Sequence, residues 1–368
     1  MQNHSKPFPI QVLVVDDSAV VRQVMHAILS QETDMEVTVA ADPLIAMQKM
    51  KQMRPHVVVL DLEMPRMDGL TFLRKIMAED PIPTLVCSGV AAPRTENALL
   101  ALEQGALGII SKPKLGVGNF LHESALVLID TVRAAAQASV KQRMPLRNFA
   151  KPRPVTVSTL HRPAGSQAGA IVAIGASIGG TEALAELLTA LPSDTPGIVV
   201  VQHMPEFFTA AFANRLNALC RIEVKEGADS DQIARGRAII APGNRHLSVV
   251  SRRGAFYVEL SDGPLVSRHR PSVDVLFRSV ASAAGANALG IILTGMGNDG
   301  ASGLLDMKRA GSSTIAQDEK SCVVFGMPKE AIAAGAVDTI APLACIPGLM
   351  MRWAGSGRLK TMNGQLHY

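Results

Sequence analysis

Residues 170–187 read AIVAIGASIGGTEALAEL, and the architecture of the C-terminal half turns on this stretch. An apolar, β-branched run is followed by a Gly/Ser turn and then by an amphipathic helical pattern, which predicts a strand–turn–helix unit. Ser177 occupies the turn, between Gly175 and Gly179-Gly180. Small residues there allow a sharp turn and a close approach to a ligand. The helix N-terminus beside it favours negative charge. Two readings compete for such a turn: an exposed serine nucleophile or a phosphate and dinucleotide cradle.

The next strands discriminate between them. Gly197–Val201 runs into QHMP and puts His203 at its carboxyl end. Gly290–Leu293 leads into TGMGNDGASGL and puts Asp299 in a loop before a helix. In a parallel sheet these ends share one edge, so a serine, a histidine and an acid can meet there. The imidazole would take the serine proton. The acid would fix the tautomer and steady the imidazolium. Backbone N–H groups of the turn 177–180 and the loop 295–297 are candidate oxyanion donors. A dinucleotide site expects an acid at the end of the second strand, where this chain has Gln202 and His203. A zinc hydrolase using His203, His246 and His269 lacks any recognisable ligand spacing. Alone, His203 reads as an ordinary histidine and Asp299 as a helix cap; their placement at matching strand ends carries the functional reading.

In the N-terminal half, strands are expected near Gln11–Asp16, Glu36–Ala40, His56–Asp61, Pro83–Cys87 and Gly108–Ser111, with helices between them. Five such units imply an α/β doubly wound parallel sheet. Polar residues collect at the carboxyl ends: Asp16 and Asp17, then Asp61, Ser88 and Lys112. Three carboxylates at one edge repel each other unless a cation joins them, and hard oxygen ligands suit Mg²⁺. A hydroxyl and an ammonium opposite would hold a phosphoryl group.

The 368 residues allow two full domains, and 48% hydrophobic with 18% charged content is that of a globular chain. Between Thr131 and Thr181 there is no acid, but Arg133, Lys141, Arg143, Arg147, Lys151, Arg153 and Arg162 all fall there, more positive charge than the chain's net +4. This Pro-, Ala- and Ser-rich stretch without interleaved aromatics reads as a solvated linker rather than a nucleic-acid surface, with Ala134–Val140 able to continue the last N-terminal helix. The expected domains are therefore 1–130, a linker at 131–168, and 169–368. The four cysteines form no CxxC pair, and the N-terminus lacks the order of a signal peptide. No apolar run reaches membrane-span length. Together these point to the cytoplasm, with no membrane insertion.

LVVDDSAVVRQVM, VVVLDLEMPRMDGL and IISKP resemble the receiver domain of two-component response regulators, a flavodoxin-like (CheY-like) fold. The resemblance implies that Asp61 accepts a phosphoryl group from a histidine kinase. It also implies that Asp16, Asp17, Asp61 and the Glu63 carbonyl hold Mg²⁺, and that Ser88 and Lys112 contact the phosphoryl group. Ile109 stands where many receivers carry an aromatic switch residue. IGASIGGTEAL, QHMPEFFTAAFANRLN, APGNRHL, RHRPSVDVLF, LTGMGNDGASGL and AQDEKSCVVFGMPKEAI resemble the chemotaxis methylesterase family, CheB. That implies a Rossmann-like catalytic domain with a Ser177–His203–Asp299 triad and backbone oxyanion donors at Ile178 and Met296. Its expected reactions are hydrolysis of glutamyl methyl esters and deamidation of glutamines on chemoreceptor helices, with the unphosphorylated receiver blocking the catalytic edge. Ile178 departs from the family's usual threonine. In RHRPSVDVLF, Val273, Val275, Leu276 and Phe277 read as core, and Arg268, His269 and Arg270 as candidate cleft residues. The alternative is a non-enzymatic regulator whose output domain only binds a partner.

Overall fold

Val57–Asp61 (VVVLD) is apolar up to its last residue, and all five positions are buried. That is how a central strand covered on both faces reads. The computed structural model describes residues 9–64, 67–89, 92–112, 118–138 and 169–356. The expected linker, 131–168, lies mostly outside these described residues. The chain divides into two units, Met1–Arg147 and Asn148–Tyr368.

In the first unit the elements alternate: β1 (Ile10–Val15), α1 (Ala19–Leu29), β2 (Met35–Ala40), α2 (Pro43–Gln52), β3 (Val57–Asp61), α3 (Gly69–Glu79), β4 (Thr84–Ser88), α4 (Ala92–Glu103), β5 (Gly108–Ser111) and α5 (Gly118–Ala136). All strands pair in parallel, in the order β2-β1-β3-β4-β5. The chain reverses direction across the sheet between β1 and β3, so a crevice opens at their carboxyl ends. Side-chain caps start the helices: Ser18 accepts from Val21 N, Asp42 from Ile45 N and Asp68 from Thr71 N. The expected boundary at residue 130 falls inside α5. This helix continues to Ala136, buries Val132, Ala134 and Ala135 completely, and packs on β1, β3 and β4. Arg133 fastens it further, its guanidinium donating to both Asp34 carboxylate oxygens (2.8 and 2.9 Å) and to Glu32 (3.0 Å).

The second unit contains β6 (Ile171–Ala176), α6 (Gly180–Thr189), β7 (Gly197–Gln202), α7 (Thr209–Leu219), β8 (Glu223–Glu226), β9 (Gln232–Ile233), β10 (Arg237–Ile240), β11 (His246–Arg252), β12 (Ala255–Ser261), α8 (Val273–Ala284), β13 (Ala288–Ile292), α9 (Ala301–Arg309), β14 (Ser313–Gln317), α10 (Met327–Ala333), β15 (Thr339–Ala341) and α11 (Ile346–Ser356). Seven strands form a parallel sheet ordered β15-β14-β13-β6-β7-β10-β8. An antiparallel sheet, β11-β12-β9, is an addition that the α/β rhythm does not foretell. Its hairpin turns at Arg253-Gly254, both with positive φ. Val273, Leu276, Phe277 and Val280 of α8 join β6 and β11 in one core. Fully burying each such side chain contributes roughly 1.5–3 kcal/mol.

Candidate active site

Strand order decides which residues meet. β6 is flanked by β13 on one side and β7 on the other. The last β6–β7 pair is Ala176↔Gln202, so Ser177 and His203 follow side by side. The ladder continues past the strands: His203 N donates to Ala176 O (3.1 Å), and Ser177 N donates to Thr294 O (3.0 Å). Ser177 thus stands between His203 and the loop that carries Asp299.

Ser177 opens a tight turn closed by Gly180 N donating to Ser177 O at 2.8 Å. Gly179, with φ 73° and ψ 0°, has the geometry of the third residue of a type II turn, which needs a positive φ. Gly295 serves close approach instead. A Cβ added there would lie 2.7 Å from Ser177 Cβ and 2.4 Å from Met327 Sδ, so this loop packs directly on Ser177.

His203 Nε2 donates to Asp299 Oδ2 at 2.8 Å. Asp299 is buried and also accepts from Ser272 Oγ (2.7 Å), Val273 N (2.7 Å) and Asp274 N (3.0 Å). Burial pushes its carboxyl pKa up, but the hydrogen bond and charge of His203 and the other donors outweigh this and bring it down to about 2. A carboxylate only accepts, so the neutral imidazole carries its proton on Nε2 and leaves Nδ1 as the lone pair. His203 Nδ1 is buried and has no hydrogen-bond partner among the described residues.

Of the candidate oxyanion donors, three are committed elsewhere. Ser177 N serves Thr294 O, Gly180 N serves Ser177 O, and Gly295 N donates to Val324 O (3.0 Å). No hydrogen bond is found among the described residues for the N–H groups of Ile178, Gly179, Met296 and Gly297. Gly295 O accepts from both Gly326 N and Met327 N (each 2.9 Å), which anchors the loop that presents Met296.

Two residues of this site escape a sequence reading. Gln202 Nε2 donates to Ser177 O (2.9 Å) and His203 O (3.1 Å), bridging the carbonyls of both. Its only trace in the sequence is a polar residue closing an apolar strand. Ser272 caps α8 and holds Asp299 with the same hydroxyl; the signal is a serine immediately before a helical pattern. The cleft residues expected from RHRPSVDVLF divide. Arg270 is spent inside the fold, on Asn244 Oδ1 and the Asp262 and Gly263 carbonyls. Arg268 is exposed, and His269 stacks on His203.

The zinc alternative does not fit. His246 uses both ring nitrogens, accepting from Ser272 N (3.2 Å) and donating to Pro264 O (2.8 Å). His203, His269 and Asp299 each offer a ligand atom within 4.8 Å of the others, but the two imidazole rings lie face to face and His203 Nε2 is committed to Asp299.

In the first unit, Asp16, Asp17 and Asp61 each offer a carboxylate oxygen, all within 4.8 Å of one another. Lys112 Nζ lies 2.6 Å from Asp61 Oδ2 and 3.0 Å from Asp16 Oδ2. Asp16 Oδ2 is buried and faces the Lys112 ammonium, so the three convergent carboxylates, not an unpaired oxygen, are what suit a cation. Burial raises the Asp61 pKa, opposed by Lys112 and reinforced by the Asp16 charge. Glu63 N donates to Asp61 Oδ1 (3.2 Å), and Ser88 ends β4, its hydroxyl donating to Gly89 O.

A family described as CheB methylesterase matches residues 172–350, and the response regulator receiver domain matches residues 12–116. A protein-glutamate methylesterase/protein-glutamine glutaminase 1 of Anaeromyxobacter dehalogenans (strain 2CP-C) is 56% identical over 94% of this chain and 99% of its own length. The chain belongs to the CheB methylesterase family. A counterpart from Geobacter metallireducens, protein-glutamate methylesterase/protein-glutamine glutaminase 3, is 54% identical over 94% of this chain and 99% of its own. The crystal structure of the Thermotoga maritima CheB methylesterase catalytic domain is similar, with a TM-score of 0.50 and 38% identity over 50% of this chain and 99% of that one. The receiver match supports a divalent cation at the acidic cluster. Among the described residues, no helix is long and apolar enough to cross a membrane.

Proposed function

We propose that this protein is a phosphorylation-activated protein-glutamate methylesterase and protein-glutamine glutaminase acting on chemoreceptor helices in the cytoplasm. The observation that carries this reading is the convergence of Ser177, His203 and Asp299 at the carboxyl ends of adjacent parallel strands. Ser177 Oγ attacks the ester carbonyl while His203 Nδ1 takes its proton. The N–H groups of Ile178 and Met296 receive the oxyanion. Asp299 steadies the imidazolium through Nε2. The intermediate collapses as His203 returns the proton to the methoxy group, releasing methanol. Water activated by the same nitrogen then hydrolyses the acyl-enzyme to glutamate. An amide substrate follows the same path and releases ammonia.

In the receiver, Asp61 is the phospho-acceptor for a histidine kinase, and Ser88 and Lys112 hold the phosphoryl oxygens. Asp16, Asp17, Asp61 and the Glu63 carbonyl would hold Mg²⁺, which supplies charge neutralisation during phosphoryl transfer. Support comes from the convergent carboxylates of Asp16, Asp17 and Asp61. The test is methanol release from methylated receptor, with and without acetyl phosphate. The parent should be stimulated, and Ser177→Ala should lose about three orders of magnitude or more. A Ser177→Ala rate within tenfold of the parent removes the esterase reading and leaves the partner-binding alternative.

A further inference from the structure

His269 has a place in the fold that the triad does not explain. Val266 N donates to His269 O (3.1 Å) and His269 N to Val266 O (2.9 Å), closing a two-residue turn over Ser267 and Arg268. Both have positive φ, 50° and 65°, at positions where glycine and asparagine are the usual occupants. Held strain of this kind collects at functional sites. The turn lays the His269 ring flat against His203, with centroids 3.7 Å apart and planes 6° from parallel. His269 Nδ1 donates to Ser267 O at 2.6 Å, so the ring is pinned to its own turn.

We propose that His269 is a positioning residue of the hydrolysis: it fixes the plane of the His203 ring and gives the imidazolium formed there an uncharged aromatic face. This rests on His203 being the general base. A cation over an aromatic face is attracted to it, more strongly where water is excluded. A charged His269 at the same distance would repel it, so the ring has to stay neutral. The surroundings keep it so. Burial lowers its pKa to about 3, the charges of His203 and Arg268 act the same way, and Asp299 and the Ser267 hydrogen bond oppose them. The other charged groups close to this contact are on α8: Asp274, which accepts from Ser267 Oγ (3.4 Å), and Arg278, 3.7 Å from Asp274.

The experiment measures kcat and KM for methanol release against pH, in the full chain with acetyl phosphate, for the parent, His269→Phe, His269→Leu and His203→Gln. Phenylalanine keeps the flat face and cannot ionise; leucine keeps bulk and dryness without the face. His269→Phe should stay within about threefold of the parent in kcat, with its acid limb unmoved. His269→Leu should lose about tenfold in kcat with little change in KM, and its acid limb should move about half a pH unit lower, because the imidazolium has lost support. A His269→Leu profile matching the parent overturns the proposal, as does a Phe variant that loses as much as Leu. Should the Leu variant not fold, the Phe variant decides: a parent-like profile supports the proposal, and a tenfold loss overturns it. His203→Gln separates the two levels. If it keeps the parent's acid limb, the base assignment itself is wrong; if it is inactive while Leu matches the parent, only the stacking role fails.

Discussion

Asp299 Oδ2 receives the Nε2–H of His203 at 2.8 Å and the backbone N–H of Val273 at 2.7 Å. The carboxylate that orients the base is therefore also seated on the first turn of α8, where backbone N–H groups lack helical partners. In the proposed mechanism, catalysis and the packing of α8 share one side chain. Asp299→Asn should lower kcat for methanol release by about three to four orders of magnitude, since an amide supports the wrong tautomer. It should also lower the thermal midpoint, because an amide nitrogen meets donors where an oxygen accepted them. Steady-state kinetics with a melting curve checks both.

The same carboxylate makes acid stability predictable. Its folded pKa, at about 2, lies below the roughly 3.9 of an unfolded aspartate. Its contribution is therefore complete above the unfolded value and is lost as pH falls from about 4 towards 2. Over that interval the parent's thermal midpoint should fall more steeply than that of Asp299→Asn. Parallel melting curves for the two would show otherwise if another group governs acid unfolding.

Gly295→Ala would place a methyl group 2.7 Å from Ser177 Cβ. The Met327 sulfur, at 2.4 Å, is closer still, and the main chain is held on both sides: Ser177 N is bonded to Thr294 O, and Gly295 O accepts two N–H groups. The loop that presents Met296 must shift. We expect kcat to fall at least about tenfold, as removing an oxyanion donor does, with far-ultraviolet circular dichroism unchanged.

Asp61→Asn should reduce the stimulation by acetyl phosphate to none, and EDTA should abolish it in the parent while sparing turnover without phosphodonor. The two halves of this result separate a cation used in phosphoryl transfer from one used in ester hydrolysis. Inhibition of unstimulated turnover by EDTA would contradict the assignment of the cation to the receiver.

Arg133 donates to both oxygens of Asp34 and to Glu32, and its neighbours on α5 are fully buried. A receiver fragment ending at residue 130 should be markedly less stable to urea than one ending at 138. Arg133→Ala in the longer fragment should cost only about 1 kcal/mol, since the ion pairs are partly solvated. Urea titrations of the three give the comparison.

The sequence makes legible whatever depends on chain-local pattern. The strands that lead into Asp61, Ser177 and His203 are visible as apolar runs stopped by a polar residue, and the parallel topology follows from their alternation with helices. What stays hidden depends on which loops lie beside one another. The Ser272 hydroxyl reaches Asp299 only because α8 starts beside the loop after β13. The stacking of His269 needs a turn whose left-handed residues are Ser267 and Arg268, where a sequence rule looks for Asn or Gly. The continuation of the last N-terminal helix past residue 133 is legible in Ala134–Val140, whereas the part of Arg133 in the fold is not, because the acid-free stretch opens within the helix. The Arg253-Gly254 hairpin leaves a turn signal in SRRGAF, outside the βα rhythm of the rest of the domain.

The contact between Gly295 and Ser177 bears on how this enzyme can diversify. At Gly295 the space is already filled by the Met327 sulfur and the Ser177 Cβ, so no side chain can be added there to sort one receptor from another. Discrimination among receptors is left to outlying surfaces such as the exposed Phe207 and Arg268. Paralogues serving different receptors should differ at that periphery while sharing an unaltered floor.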